Sequence, residues 1–340
     1  MKSKTAGQSF LSACALTAVA AAGILLAPAE GRRAIADPRS LAAPAPGDGI
    51  VYQSWHDQTR NRYIPVKLYM PKSGTAPYPV VIFSHGLGGS REAAGYLGDY
   101  WSQHGYLGVF VQHAGSDTSV WQDSMGSGRE AIMKRMRMAA NAANLIDRAN
   151  DIKFVIDELE HRNQNDSLLK GKIDLQEIAL GGHSFGAGTT LTIAGERFAG
   201  RTLEDPRVKS ALYLCPPIMG GKQAPDQTYG AIKIPGMLLT GTEDDSPIND
   251  TKAADRRIPF DGIRAPHQYL VNFNGADHAT FGGRSFRPAK DSDERFHKMI
   301  EQVTTEFLDA TLKNDRNAWH WLDSKEAVAY LGSAAVYERK

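Results

Sequence analysis

The chain has 340 residues, a formal net charge of +1, and 23% charged and 42% hydrophobic residues. Such a length suits one large α/β domain or two small ones, and the apolar content is that of a globular protein. A balance this near neutrality carries no footprint of nucleic acid or of a strongly charged partner.

The N-terminus differs from the rest. Lys2 and Lys4 precede an apolar, alanine-rich run from about Phe10 to Pro28. Ala27-Pro28-Ala29 and Ala34-Ile35-Ala36 are both small-x-small cleavage candidates. The pattern predicts a signal peptide over 1–29, or to 36, and hence a secreted or periplasmic protein with no integral membrane segment after cleavage. The run is also just long enough to span a bilayer, so an uncleaved anchor is the alternative. Residues 30–49 are rich in Ala, Pro and Gly without a period and read as a linker. Of the two cysteines, Cys14 and Cys215, only Cys215 survives cleavage, which leaves no intramolecular disulfide. Cys215 closes the apolar run Ala211-Leu212-Tyr213-Leu214 and reads as a buried strand residue.

A domain is expected over 50–340. Ile50 to Trp55 and Tyr63 to Met70 read as strands around a polar turn. Pro79 to Phe83 is a continuous apolar strand, as expected when both sheet faces are buried. It runs into Ser84-His85-Gly86-Leu87-Gly88-Gly89, where glycines let backbone N–H groups approach a ligand closely; Leu87 N–H is the candidate donor. Arg91 to His104 is expected as a helix closed by Gly105, followed by a buried strand from Tyr106 to Val111. His113 lies at the same sheet edge and is a candidate pocket wall. An insertion at about 113–144 carries Trp121, Met125, Met133, Met136 and Met138, which read either as a lid or rim over a pocket or as an ordinary packing helix. Leu145, Ala149, Ile152, Ile156 and Leu159 recur on one helix face. Strands follow at Val208 to Cys215, Ile234 to Thr240 and His267 to Phe273. Phe296 to Leu312 predicts a closing helix and Ala318 to Val336 a weaker terminal one. Buried strands alternating with helices predict an α/β fold, a mostly parallel central sheet with helices on both faces.

The chemistry centres on Gly182-His183-Ser184-Phe185-Gly186. A serine between a strand and a helix must sit on a sharp turn, and side chains two residues to either side would collide, so both places want glycine. The helix that follows aims its N-terminal N–H groups at the serine. A serine hydroxyl needs a base within hydrogen-bond reach. His278, in Gly275-Ala276-Asp277-His278 after the last strand, is the base candidate. Glu243, Asp244 and Asp245 compete as the acid that orients it; Asp244 falls where the chain turns back into the site, Asp245 reads as a turn or helix cap and Glu243 as solvent-facing. His85 reads as a fixer of the glycine loop, and His183 as diverging from the serine. No H-E-x-x-H and no cysteine pair is present, so no metal or cofactor is expected.

With these residues in place, the chain resembles the α/β-hydrolase superfamily. Phe83-Ser84-His85-Gly86-Leu87-Gly88 together with Gly182-His183-Ser184-Phe185-Gly186 looks like platelet-activating-factor acetylhydrolases and bacterial dienelactone-hydrolase-like esterases, and Gly275 to Phe281 looks like the histidine loop of the bacterial relatives. The resemblance implies an α/β-hydrolase fold and a triad of Ser184, His278 and Asp244, with the Leu87 and Phe185 N–H groups binding the oxyanion. True dienelactone hydrolases use a cysteine where this chain has Ser184. The expectation is an exported serine esterase that takes a small-molecule or lipid-like ester of short to medium acyl length. An acyltransferase on the same triad and a non-catalytic binding module are the alternatives.

Overall fold

The structure is a computed structural model that describes residues 49–122, 126–198, 200–218, 224–283 and 290–340. The expected signal segment, nearly all of the linker, and Met125 lie outside the described residues. Among the described residues, no helix is long and apolar enough to cross a membrane.

The chain runs β1 (Ile50–Asp57), β2 (Arg62–Tyr69), β3 (Tyr78–Ser84), α1 (Gly95–Gln103), β4 (Leu107–Val111), α2 (Ser119–Gln122), α3 (Gly128–Ala139), α4 (Ala142–Asn165), β5 (Ile173–His183), α5 (Phe185–Ala194) and β6 (Val208–Leu214). It continues through α6 (Pro225–Tyr229), β7 (Gly236–Glu243), a 3₁₀ turn (Ala253–Arg257), α7 (Ile258–Gly262), β8 (Gln268–Asp277), α8 (His278–Phe281), α9 (Asp293–Leu312), α10 (Arg316–Asp323), α11 (Glu326–Leu331) and β9 (Ala335–Arg339). The strands form one nine-stranded sheet in the order β1-β2-β4-β3-β5-β6-β7-β8-β9. Pairing is parallel from β4 to β8, and antiparallel at both margins, where β2 joins β1 and β4, and β9 joins β8.

The apolar run of β3 feeds two cores. Val80 and Ile82 face α4, while Val81 and Phe83 face α1 and α9. On the α4 side, Leu145, Ala149, Ile152, Ile156 and Leu159 are all at most 3% exposed. Each large apolar side chain so buried contributes about 1.5–3 kcal/mol, which is what seats this helix on the sheet. On the other face, Leu97 and Trp101 of α1 meet Phe296, Ile300, Val303 and Phe307 of α9. The end of α1 shows how the sequence stops a helix: Gly105, at φ +82°, lets its own N–H reach Ser102 O and the Tyr106 N–H reach Trp101 O.

This winding decides where a ligand can sit. β4 and β5 lie on opposite sides of β3. The chain therefore reverses its direction of travel between β3 and β5, and a crevice opens beyond their carboxyl ends. The glycine loop after β3 and the serine turn after β5 both empty into it.

Two expected elements differ. Helix α1 starts at Gly95, not Arg91, because the preceding residues are committed elsewhere: Arg91 donates to Gln53 O and Val66 O, and Ala94 N–H to Gly282 O. The expected terminal helix over Ala318 to Val336 is broken. Ser324 is extended, Gly332 ends α11, and Ala335–Arg339 pairs with β8 as a strand, which covers an otherwise unpaired sheet edge.

Candidate active site

Ser184 occupies the single residue between β5 and α5, at φ 54° and ψ −118°. A non-glycine residue held there is strained, and such strain clusters at functional sites. The turn is tight enough to demand its glycines: a Cβ on Gly182 would overlap the Gly186 carbonyl, and one on Gly186 would overlap the Ser84 carbonyl. Ser184 N–H donates to Leu214 O at 2.8 Å, tying the turn to β6.

His278 is presented by a different device. Asp277 ends β8 and caps α8, accepting from the Ala279 and Thr280 N–H groups, so His278 is the first residue of a short helical turn. Its Nε2 lies 2.9 Å from Ser184 Oγ and its Nδ1 2.6 Å from Asp244 Oδ1. Since the carboxylate only accepts, Nδ1 carries the hydrogen and Nε2 is left to accept from the serine. Asp244 follows β7, whose register against β8 shifts between Gly241 and Glu243; such a bulge re-aims the chain. Thr240 Oγ1 donates to Asp244 Oδ2 at 2.8 Å. Burial pushes this carboxyl up, but the bond to His278 and the Arg256 guanidinium outweigh it and hold it below the usual range.

The three competing carboxylates separate cleanly. Asp244 is 0% exposed. Asp245 is exposed and accepts from Ala253 N–H and Lys252 Nζ at 2.9 and 3.1 Å. Glu243 is exposed, with Lys290 at 3.5 Å.

The glycine loop crosses directly over the serine, since a Cβ on Gly86 would stand 3.4 Å from Ser184 Cβ. Leu87 lies in the turn that follows, and Phe185 is the first residue of α5; among the described residues neither N–H has a backbone acceptor outside regular structure, and a first-turn helix amide has none within it. The loop is held from above and below. Above, Trp121 Nε1 donates to Gly88 O at 2.8 Å, and Met136 packs on Gly88. Met138, by contrast, is 68% exposed and turns away to solvent. Below, His85 donates from Nδ1 to Gly86 O at 2.6 Å and accepts from His113 N–H at 3.1 Å, and Arg148 donates to His85 O.

His113 is therefore not a pocket wall. It is 0% exposed and joins Ser84 Oγ, at 3.0 Å, to Asp151, at 3.0 Å. Arg148 donates to the same Ser84 oxygen, and Arg60 and Arg62 to Asp151. Burial and then the Arg148 charge push His113 well below the ordinary histidine range, so it stays neutral.

His183 does not diverge from the site either. Its ring lies 4.8 Å from that of His278, and its Nε2 donates to His278 O at 2.9 Å. Burial, then the neighbouring histidine, lowers it to about 3. Ligating atoms of His183, Cys215 and His278 lie within 4.8 Å of one another, a gathering that no spacing in the sequence announced. The donor set does not suit a resident cation. Both nitrogens of His278 are engaged, burial holds the Cys215 thiol protonated, and the Arg256 guanidinium already supplies positive charge there.

Arg256 was not legible either. Its neighbour Arg257 is half-buried and bonded to Asp261 and Glu338. Arg256 is 1% exposed and faces the Asp244 turn.

Comparison with known proteins points to one family. The sequence model of the family "Platelet-activating factor acetylhydrolase, isoform II" matches residues 55–130, which include the glycine loop. The platelet-activating factor acetylhydrolase of Cavia porcellus is 24% identical over 290 residues, spanning 76% of this chain and 63% of that protein. Those of Canis lupus familiaris and Bos taurus are 30% and 29% identical over 147 residues, 35% of this chain and 32% of each relative. This chain is similar to the platelet-activating factor acetylhydrolases. Its nine-stranded, mostly parallel sheet with helices on both faces is the α/β-hydrolase fold. The chain spans less than two thirds of the length of these acetylhydrolases, and the matched family segment ends before Ser184, Asp244 and His278.

Proposed function

We propose that this protein is a serine hydrolase of carboxylic esters, akin to the acetylhydrolases it resembles. The observation that carries the reading is the unbroken hydrogen-bond chain from Ser184 through His278 to Asp244. In this mechanism His278 Nε2 takes the Ser184 proton as Oγ attacks the ester carbonyl. The Leu87 and Phe185 N–H groups receive the oxyanion, and each such donor is worth about 10²–10³ in rate. His278 then protonates the departing alcohol, and water activated by the same nitrogen releases the acid. Asp244 fixes the imidazole tautomer and stabilises the imidazolium.

The substrate class is an ester of short to medium acyl length, lipid-like esters included. Trp121 and Met136 over Gly88 support an apolar, adaptable wall beside the oxyanion loop. Each methylene buried by the acyl chain adds up to about 0.8 kcal/mol until the pocket is full. Export rests on the pattern of residues 1–36 alone, and N-terminal sequencing of the exported protein tests it: a start at Glu30 or Asp37 is expected, and an intact Met1 in the membrane fraction favours an anchor.

The decisive experiment pairs Ser184→Ala with a serine-directed organophosphonate. The variant is expected to fold, lose ester hydrolysis by several orders of magnitude and escape labelling. Labelling at another serine, with activity retained, overturns the assignment. Assays with added alcohol distinguish hydrolysis from acyl transfer.

A further inference from the structure

Arg256 reaches the reacting groups from the 3₁₀ turn Ala253–Arg257. Its Nη2 lies 3.2 Å from Asp244 Oδ1 and 3.2 Å from His278 Nδ1. Nδ1 already carries the hydrogen donated to Asp244, so it cannot also accept from Arg256. The two donors converge instead on one carboxylate oxygen. The rest of the guanidinium is spent on backbone: Nε donates to Asp244 O at 3.1 Å, and Nη1 to Cys215 O at 3.0 Å and Pro216 O at 2.9 Å. The fork thus clamps the end of β6 to the turn that carries the acid.

Among the described residues, the charges around the His278 ring are few. His183, from β5, is neutral through burial, and the Cys215 thiol, after β6, is held protonated. Asp277, at the end of β8, is paired with Lys290 at 2.8 Å, and Lys290 also faces Glu243. Asp244 and Arg256 remain as the opposed charges in direct contact with the ring. A triad carboxylate stabilises the imidazolium; a cation on the same oxygen, at the same distance from the ring nitrogen, works against that.

We propose that Arg256 is a positioning residue that fixes the Asp244 turn and, through its charge on Asp244 Oδ1, extends the working range of the enzyme downward in pH. The inference rests on the triad reading above. Two variants separate its two parts. Arg256→Gln keeps hydrogen-bond donors and removes the charge, so the acidic limb of kcat/KM against pH should move upward by about one unit or more. Arg256→Lys keeps the charge and loses the fork, so kcat should fall while the acidic limb stays within about 0.3 units of the parent. Identical pH profiles in the parent and Arg256→Gln, or equal displacement in both variants, would overturn the inference, since a purely structural arginine lowers activity without moving the limb. Ser184→Ala serves as the control. If it is inactive and the limb does not move, Arg256 alone is misassigned; if it remains active, the triad reading falls and takes this inference with it.

Discussion

Ser84 Oγ stands 3.0 Å from His113 Nε2, nearly the separation of Ser184 and His278, and His113 in turn meets Asp151. The protein thus holds a second Ser-His-Asp chain. Its members are all 0% exposed, and Arg148 occupies the far side of its serine oxygen. Distance alone does not make a nucleophile; access and free oxyanion donors do. Ser84→Ala should leave phosphonate labelling at Ser184 intact and activity within about threefold of the parent. It should cost about 1–3 kcal/mol of stability in urea unfolding, because His113 and Arg148 each lose a buried partner.

Asp244→Asn should lower kcat by about 10⁴, by holding the imidazole in the wrong tautomer. Asp245→Asn removes an exposed cap on the next turn and should cost no more than a few-fold. Steady-state kinetics on the two variants read the difference directly, and the reverse order would move the acid by one residue.

Trp121→Phe keeps an aromatic ring over Gly88 and deletes the 2.8 Å bond to its carbonyl. A net hydrogen bond is worth about 1 kcal/mol, so kcat should fall roughly five-fold through a looser Leu87 amide while thermal stability changes little. An unchanged kcat with a raised KM would place Trp121 in substrate binding instead.

Glu196 is 1% exposed and, among the described residues, its carboxyl oxygens have no dedicated hydrogen-bond donor; the nearby Thr192 hydroxyl is spent on Gly188 O at 2.9 Å. Burial raises the carboxyl from 4.5 to about 8. Below the unfolded value both states hold the proton, and nothing is lost. As pH rises toward 8 the unfolded chain releases it and the folded chain does not, so stability falls through this window and levels off above it. Glu196→Gln should therefore match the parent near pH 4 and exceed it at pH 8 by up to roughly 4 kcal/mol. Urea denaturation at the two pH values measures this, and equal stabilities at pH 8 would refute it.

The parts of the site legible in sequence are those with a local cause. Ser184 lies on a turn whose steric demand writes Gly182 and Gly186 beside it, and Asp244 and His278 each follow a buried strand whose end fixes their place. The apolar periods of β3 and α4 likewise record their burial directly. What escaped depends on long-range encounters. Arg256 touches Cys215 O across 41 positions, and Arg148 reaches Ser84 across 64; neither leaves a trace in its neighbours. His113 looked like a lining residue because sequence places it at the correct edge but does not say how deep. The expected helix over Ala318 to Val336 runs into the first two residues of the terminal strand, because Ala335–Arg339 is too short for its period to compete with the alanine-rich stretch before it.

The bond between Ser184 and His278 closes a loop of 94 residues, and it spans strands that become neighbours only through β6 and β7. Closure over such a distance comes late, because its entropy is lost before its contacts form. A one-residue slip between the parallel strands β7 and β8 would carry His278 about 3.3 Å along the sheet, out of reach of the serine. On the triad reading, a growing or half-threaded polypeptide would carry an inert hydroxyl, and the onset of turnover would time the final strand pairing. In refolding, the recovery of phosphonate reactivity would lag the recovery of helical signal by the time those strands take to find their register.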